Sequence, residues 1–150
     1  MHISDDLREV ELGLSELVLR GHKVVKGKAE GEAIVTRDSI SFMGGVDPKT
    51  GTITESRSEL EGEKISGKIL VFPGGKGSTG GSYMLYDMSK RGTAPNGIVN
   101  IRTDSIVAIG AVMGSIPTVD QLERNPLEVI RTGDYVVVDG DSATVRIRKS

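Results

Sequence analysis

A chain of 150 residues, 37% of them hydrophobic, is long enough for one domain with one real core and too short for two comfortable ones. Lys and Arg number 19 against 21 Asp and Glu, and the aromatics are two Phe, three Tyr and no Trp, which argues against a basic, base-stacking nucleic-acid groove. With no cysteine and only two histidines, His2 and His22, the chain excludes disulfides, a thiol nucleophile and an iron–sulfur cluster on its own ligands, and leaves little for a zinc site or a Ser-His pair.

In chain order, residues 1–20 read as an N-terminal extension ahead of a domain over 21–150. Leu7, Val10, Leu14, Leu17 and Val18 make a helical stripe that predicts a short capping helix, or hairpin material leading into a sheet. Residues 22–27 and 30–35 read as two short strands with a tight turn between them, and 39–43 as a third. Residues 44–51 carry strong turn chemistry, 52–54 are extended, and 55–64 are a polar surface loop. The apolar run at 68–73 predicts a buried strand. A helix follows from Thr79 or Ser82 to about Lys90, stopped by Gly92. Residues 97–101 make another buried strand, and 106–113, apolar and rich in Gly and Ala, fit a helix or a strand. Pro117 keeps 116–119 extended, and 122–130 fit a short helix. The chain ends in a hairpin turning on Asp139-Gly140-Asp141. The sum is an α/β or α+β layered domain. No run reaches membrane-spanning length and no cleavable leader is seen, so the expected location is the cytoplasm and no membrane partner is expected.

The chemistry concentrates on Pro73-Gly74-Gly75-Lys76-Gly77-Ser78-Thr79-Gly80-Gly81-Ser82. A buried strand, a glycine-rich turn and a helix start let backbone N–H groups approach a ligand and favour an anion. Lys76 adds positive charge, and Gly77, Thr79 and Gly80 supply further donors around Ser78. The competing reading is structural: Ser78 sits where an N-cap would, and Ser is a preferred cap. The string has neither Walker A nor dinucleotide spacing. A helix N-terminus contributes at most about 2 kcal/mol, or about 1.5 pKa units, far less than an alcohol needs to act as a base at neutral pH. The remainder must come from Lys76, a donor network or a partner chain. In Gly44-Gly45-Val46-Asp47-Pro48, Asp47 is either a substrate-contacting carboxylate or the anchor of a rigid turn. Arg102 and Asp104 follow a buried strand, where α/β sites often lie.

The stretches 41–51, 67–73 and 75–83, in that order, resemble the small swivelling subunit of aconitase-X-type dehydratases, and within them the archaeal type that dehydrates phosphomevalonate. The resemblance runs from about Val25 to Arg148. It implies a swivelling β/β/α domain, phosphohistidine-domain-like, with layered sheets and flanking helices. It places the catalytic base on Ser78 and the reaction in the archaeal mevalonate pathway, as loss of water from (R)-5-phosphomevalonate to give trans-anhydromevalonate 5-phosphate. It further implies a large subunit, in a heterodimer or higher assembly, that holds a [4Fe-4S] cluster; this chain alone would be inactive. One departure stands out: the family's His-Pro-Leu stretch is replaced here by Ser58-Glu59-Leu60-Glu61-Gly62. Three alternatives remain at this level. They are a hydroxyproline dehydratase subunit, a phosphohistidine carrier (whose histidine would stand where Tyr83 does) and a non-catalytic interaction domain with Ser78 as a cap.

Overall fold

The computed structural model describes residues 16–149. Its strands are β1 (Glu16–Arg20), β2 (His22–Val25), β3 (Lys28–Val35), β4 (Val46–Asp47), β5 (Thr52–Ile53), β6 (Ile69–Phe72), β7 (Gly97–Asn100), β8 (Thr118–Asp120), β9 (Tyr135–Asp139) and β10 (Thr144–Arg148). The helices, named here α1 (Gly80–Arg91), α2 (Ser105–Met113) and α3 (Pro126–Val129), come from the second half of the chain. Eight strands form one mixed sheet in the order β1-β10-β9-β3-β6-β7-β8-β2, and β4 pairs with β5 alone. Strands β3, β6, β7 and β8 are mutually parallel, whereas β1, β10, β9 and β3 pair antiparallel.

The layering follows from the period-2 alternation of strand side chains. On β6, Ile69 and Val71 join one apolar cluster with Val136, Val138, Val145 and Ile147, between the two halves of the sheet. Leu70 and Phe72 join the other, with Leu85 and Met88 of α1 and Val107 and Ala111 of α2. A strand buried on both faces has no polar residue to alternate with, and all four residues of β6 are buried. The result is an antiparallel layer, a parallel layer and a helical layer.

Leu17 and Val18 lie in strand β1 and not on a helix, because Glu16–Arg20 pairs antiparallel with the last strand; the rest of that stripe, and His2, lie outside the described residues. The two strands expected at 22–27 and 30–35 are present as β2 and β3, on either side of a turn at Gly27, but their partners are distant: β2 pairs with β8 and β3 with β6 and β9. The two edge strands β1 and β2 are consecutive in the chain, joined at Gly21, so the sheet curls until its edges meet in sequence. A β-carbon at Gly21 would lie 2.5 Å from the Asp120 carbonyl oxygen, which explains glycine at that corner. Residues 39–43 also form no strand; they contribute one parallel bridge, Ile40 to Gly75. The 106–113 ambiguity resolves as a helix, since the Asp104 carboxylate accepts from the Ile106 and Val107 N–H groups as its N-cap. The helix predicted over 122–130 is a single turn at Pro126–Val129.

Candidate active site at the serine turn

The C-terminal ends of parallel strands are where open α/β sheets present ligand sites, and the glycine-rich turn leaves the end of β6. Its path is held from three sides. The Ile40 N–H donates to the Gly74 carbonyl at 3.2 Å, and the Lys76 N–H donates to the Ile40 carbonyl at 3.1 Å. The Gly75 N–H donates to Asp104 Oδ1 at 2.7 Å, so the carboxylate that caps α2 also ties down the turn. From above comes the 41–45 loop, anchored where Phe42 meets Phe72 edge-on at 6.1 Å between ring centres. Gly77 passes beneath it at φ +96; a β-carbon there would lie 2.6 Å from Ser41 Oγ. Only glycine combines that φ with that approach.

Ser78 is exposed at the crest of this frame. It is not the N-cap: that position belongs to Thr79, which has helical dihedrals, and its side chain makes no capping hydrogen bond. The Ser78 hydroxyl has no hydrogen-bond partner among the described residues, and the N–H groups of Gly77, Ser78 and Thr79 likewise donate to no described protein acceptor. The competing reading of Ser78 as the helix cap does not hold, since the cap position is Thr79. The hydroxyl and three consecutive donors stand free at the positive end of a 12-residue helix, an arrangement suited to an anion or a developing oxyanion.

Lys76 lies beside the turn, but its charge is engaged. Its Nζ is 2.7 Å from Glu55 Oε2, with both side chains partly exposed. Glu55 is brought there by the 44–55 loop: its N–H and that of Thr54 donate to the Gly45 carbonyl. Residues 55–64 are otherwise the largely exposed polar loop expected, and only Glu55 of them pairs with Lys76. Leu60 is buried, and the Glu59 carboxylate accepts from Thr36 Oγ1 at 2.7 Å and from the Arg37 N–H.

Asp47 is not brought to the turn. Its Oδ1 accepts the Lys49 N–H at 2.9 Å and its carbonyl accepts from Thr50 and Gly51, the side-chain-to-backbone closure of an Asx turn. The adjoining Pro48 carbonyl accepts from Thr93 Oγ1, just past the C-cap of α1 at Gly92. Twelve helical residues separate that end from the serine end, a rise of about 18 Å. Thr79 and Gly80 do border Ser78, with Gly80 against Met43: a β-carbon on it would sit 3.2 Å from the sulfur.

Three features of the frame carry weak or no sequence signals. Asp104 was detectable as a cap, an Asp immediately before an apolar run, but not as the partner of Gly75. Glu55 and Ser41 belong to loops whose packing is set by distant contacts. Behind the turn, buried Asn100 donates to the Phe72 carbonyl at 3.0 Å and accepts from Thr103 Oγ1, while buried Asp120 accepts the Thr103 N–H at 2.7 Å and meets His22 Nδ1 at 3.1 Å. These bonds satisfy the backbone where β6 and β7 end, as buried polar groups require.

Two perturbed groups among the described residues lie away from the turn. Asp139 is held below the ordinary carboxylate value, first by the Ser142 N–H. Tyr135 is pushed up, first by donating its hydroxyl to Glu30. Among the described residues no cluster of three His, Cys, Asp or Glu side chains is placed to hold a metal.

A layered domain thus presents an exposed serine hydroxyl and backbone donors that are unpaired among the described residues. Residues 18–147 match the aconitase X swivel domain, and the chain belongs to that family. Among curated relatives it is 49% identical over 129 residues to the phosphomevalonate dehydratase small subunit of Methanocella arvoryzae, covering 86% of this chain and 98% of that one. It is 50% identical over 129 residues to the protein of the same name from Thermococcus kodakarensis, covering 86% and 95%. Among solved structures it resembles a chain of the holo-form crystal structure of Thermococcus kodakaraensis aconitase X, at TM-score 0.83 and 48% identity, with 88% of this chain and 98% of that chain covered. A UPF0107 protein solved by NMR in solution aligns at TM-score 0.80 and 45% identity, over 89% and 100%.

Proposed function

We propose that this chain is the small subunit of a phosphomevalonate dehydratase, working in the cytoplasm with a large subunit and contributing Ser78 as the base. The observation that carries the reading is the free Ser78 hydroxyl beside the unpaired N–H groups of Gly77, Ser78 and Thr79, a geometry that a structural cap does not have. The small-subunit name borne by relatives near 49% identity over most of this chain supports the same assignment.

In this reading Ser78, as its alkoxide, takes the proton from the carbon next to the substrate carboxylate while hydroxide leaves the neighbouring carbon. The serine then returns that proton to the hydroxide, which departs as water and regenerates the alkoxide. Charge on Oγ is stabilised by the helix N-terminus and the turn's donors, which act without reorganising because the turn is already braced. Lys76, released from Glu55, contacts the substrate's phosphate or carboxylate. Gly77, Thr79 and Gly80 bind through backbone, and Asp47 supports from the far end of α1 without touching substrate. The family's [4Fe-4S] cluster finds no ligands here, since the chain contains no cysteine. We assign it to the large subunit and derive no step through it.

The test is anaerobic reconstitution with the large subunit, followed by an assay for trans-anhydromevalonate 5-phosphate. The Ser78→Ala complex is expected to assemble normally and to lose roughly 10²–10⁴-fold in turnover. Wild-type turnover in that complex would remove Ser78 from the chemistry, and no product from a fully loaded wild-type complex would remove the substrate.

A further inference from the structure

The helical layer has an outer face that does not fit a free-standing protein. Helix α2, Ser105-Ile106-Val107-Ala108-Ile109-Gly110-Ala111-Val112-Met113, contains no charged residue. A helix apolar on all sides is one that is buried on all sides. Yet only its inner side is covered: Val107, Gly110 and Ala111 are buried, while Ile109, Val112 and Met113 are 53%, 59% and 45% exposed.

These side chains belong to a wider patch. Helices α1 and α2 lie side by side in parallel: a β-carbon at Gly81 would be 3.1 Å from Ile106 Cγ2, one at Gly110 would be 2.9 Å from the Ser82 carbonyl oxygen, and Ser89 Oγ donates to the Gly114 carbonyl. Tyr83 on α1 is 58% exposed, and Met43, against Gly80, is 51% exposed. Five of the seven large apolar side chains exposed among the described residues are therefore on this layer or at its serine end. Charged groups stand at the other end of α1, where Arg91 pairs with Asp87 and Lys90 lies over the Tyr86 ring. An apolar centre with a charged margin is the anatomy of a protein interface.

We infer that the outer face of α1 and α2, from Met43 through Tyr83 to Ile109, Val112 and Met113, is the surface that docks the large subunit. The inference rests on the functional reading above and commits to that occupant because the patch begins at the serine turn. Among the described residues no base-activating side chain stands free at the turn, since Lys76 is paired with Glu55, so whatever completes it must approach at Met43 and Gly80. A second copy of this chain brings only another uncompleted turn. A large subunit seated here covers α2 and closes on Ser78 in one interface.

The test is binding of full-length chain to purified large subunit, read by calorimetry or co-elution, with no substrate present. Ile109→Glu and Val112→Glu put charges on exposed positions, so circular dichroism and the melting temperature of the free chain should stay near wild type. Affinity should fall roughly 10-fold or more for each, while Arg131→Glu, on an exposed position away from the helices, should leave it unchanged. The inference is overturned if both glutamate variants bind like wild type, if wild type binds no large subunit, or if sedimentation shows that the face instead joins two copies of this chain. A complex that forms through this face but yields no dehydration product would leave the docking assignment standing and overturn the reaction.

Discussion

Two glycine-rich loops flank helix α1, and they put their polar groups to opposite use. In the 44–51 loop, Asp47 spends its carboxylate on Lys49 and its carbonyl on Thr50 and Gly51, so the loop is closed on itself. In the 73–80 turn the bracing comes from outside, from Ile40, Ser41 and Asp104, and the turn's own hydroxyl and N–H groups remain free. The serine turn is rigid because its neighbours hold it. A turn that holds itself has no donors left for a ligand.

Breaking the external brace should have the largest effect. Asp104→Ala removes the cap of α2 and the bond to Gly75, and is expected to lower stability by about 2 kcal/mol, read by urea denaturation, with reduced turnover in the complex. Asp104→Asn, keeping one carbonyl oxygen to cap the helix, should recover most of the stability but not the turnover. Equal turnover in Asp104→Asn and wild type would show that the Gly75 bond does not position Ser78. Next in size, Asp47→Ala should cost about 1 kcal/mol with turnover unchanged, and a large fall in turnover would return Asp47 to the substrate site. Smaller still, Ser78→Ala should shift the free chain's stability by less than about 0.5 kcal/mol, because the hydroxyl caps nothing. A cap-sized loss in thermal melts would contradict the geometry.

The smallest effect concerns pH, at a third turn. Asp139 Oδ1 accepts from the Asp141 and Ser142 N–H groups at 3.0 and 3.1 Å, and its folded pKa is lowered. A carboxyl lowered on folding adds stability above its unfolded pKa and loses it as pH falls through the folded value. Melting temperatures of wild type and Asp139→Asn should therefore differ at neutral pH and converge under acid. A constant gap down to acid pH would show that the shift is not what stabilises the hairpin.

Much of the site was legible in residue order. The buried strand at 68–73, the glycine turn, the helix stopped at Gly92 and the Asp139-Gly140-Asp141 hairpin are local consequences of periodicity, of glycine conformation and of capping chemistry, which act over a few residues. Tertiary structure alone decided the rest. Whether Ser78 caps or stands free depends on where Ser41 and Asp104 hold the turn, through Gly77 and Gly75, contacts made across 36 and 29 residues of chain. Lys76 had two open roles until Glu55 was in place beside it. The strand status of Leu17 and Val18 required the last strand as a partner, and the exposed side of α2 required α1 and the sheet to cover the other. Local sequence sets which conformations are cheap; which polar groups remain unpaired is a property of distant partners, and in this protein those unpaired groups are the candidate site.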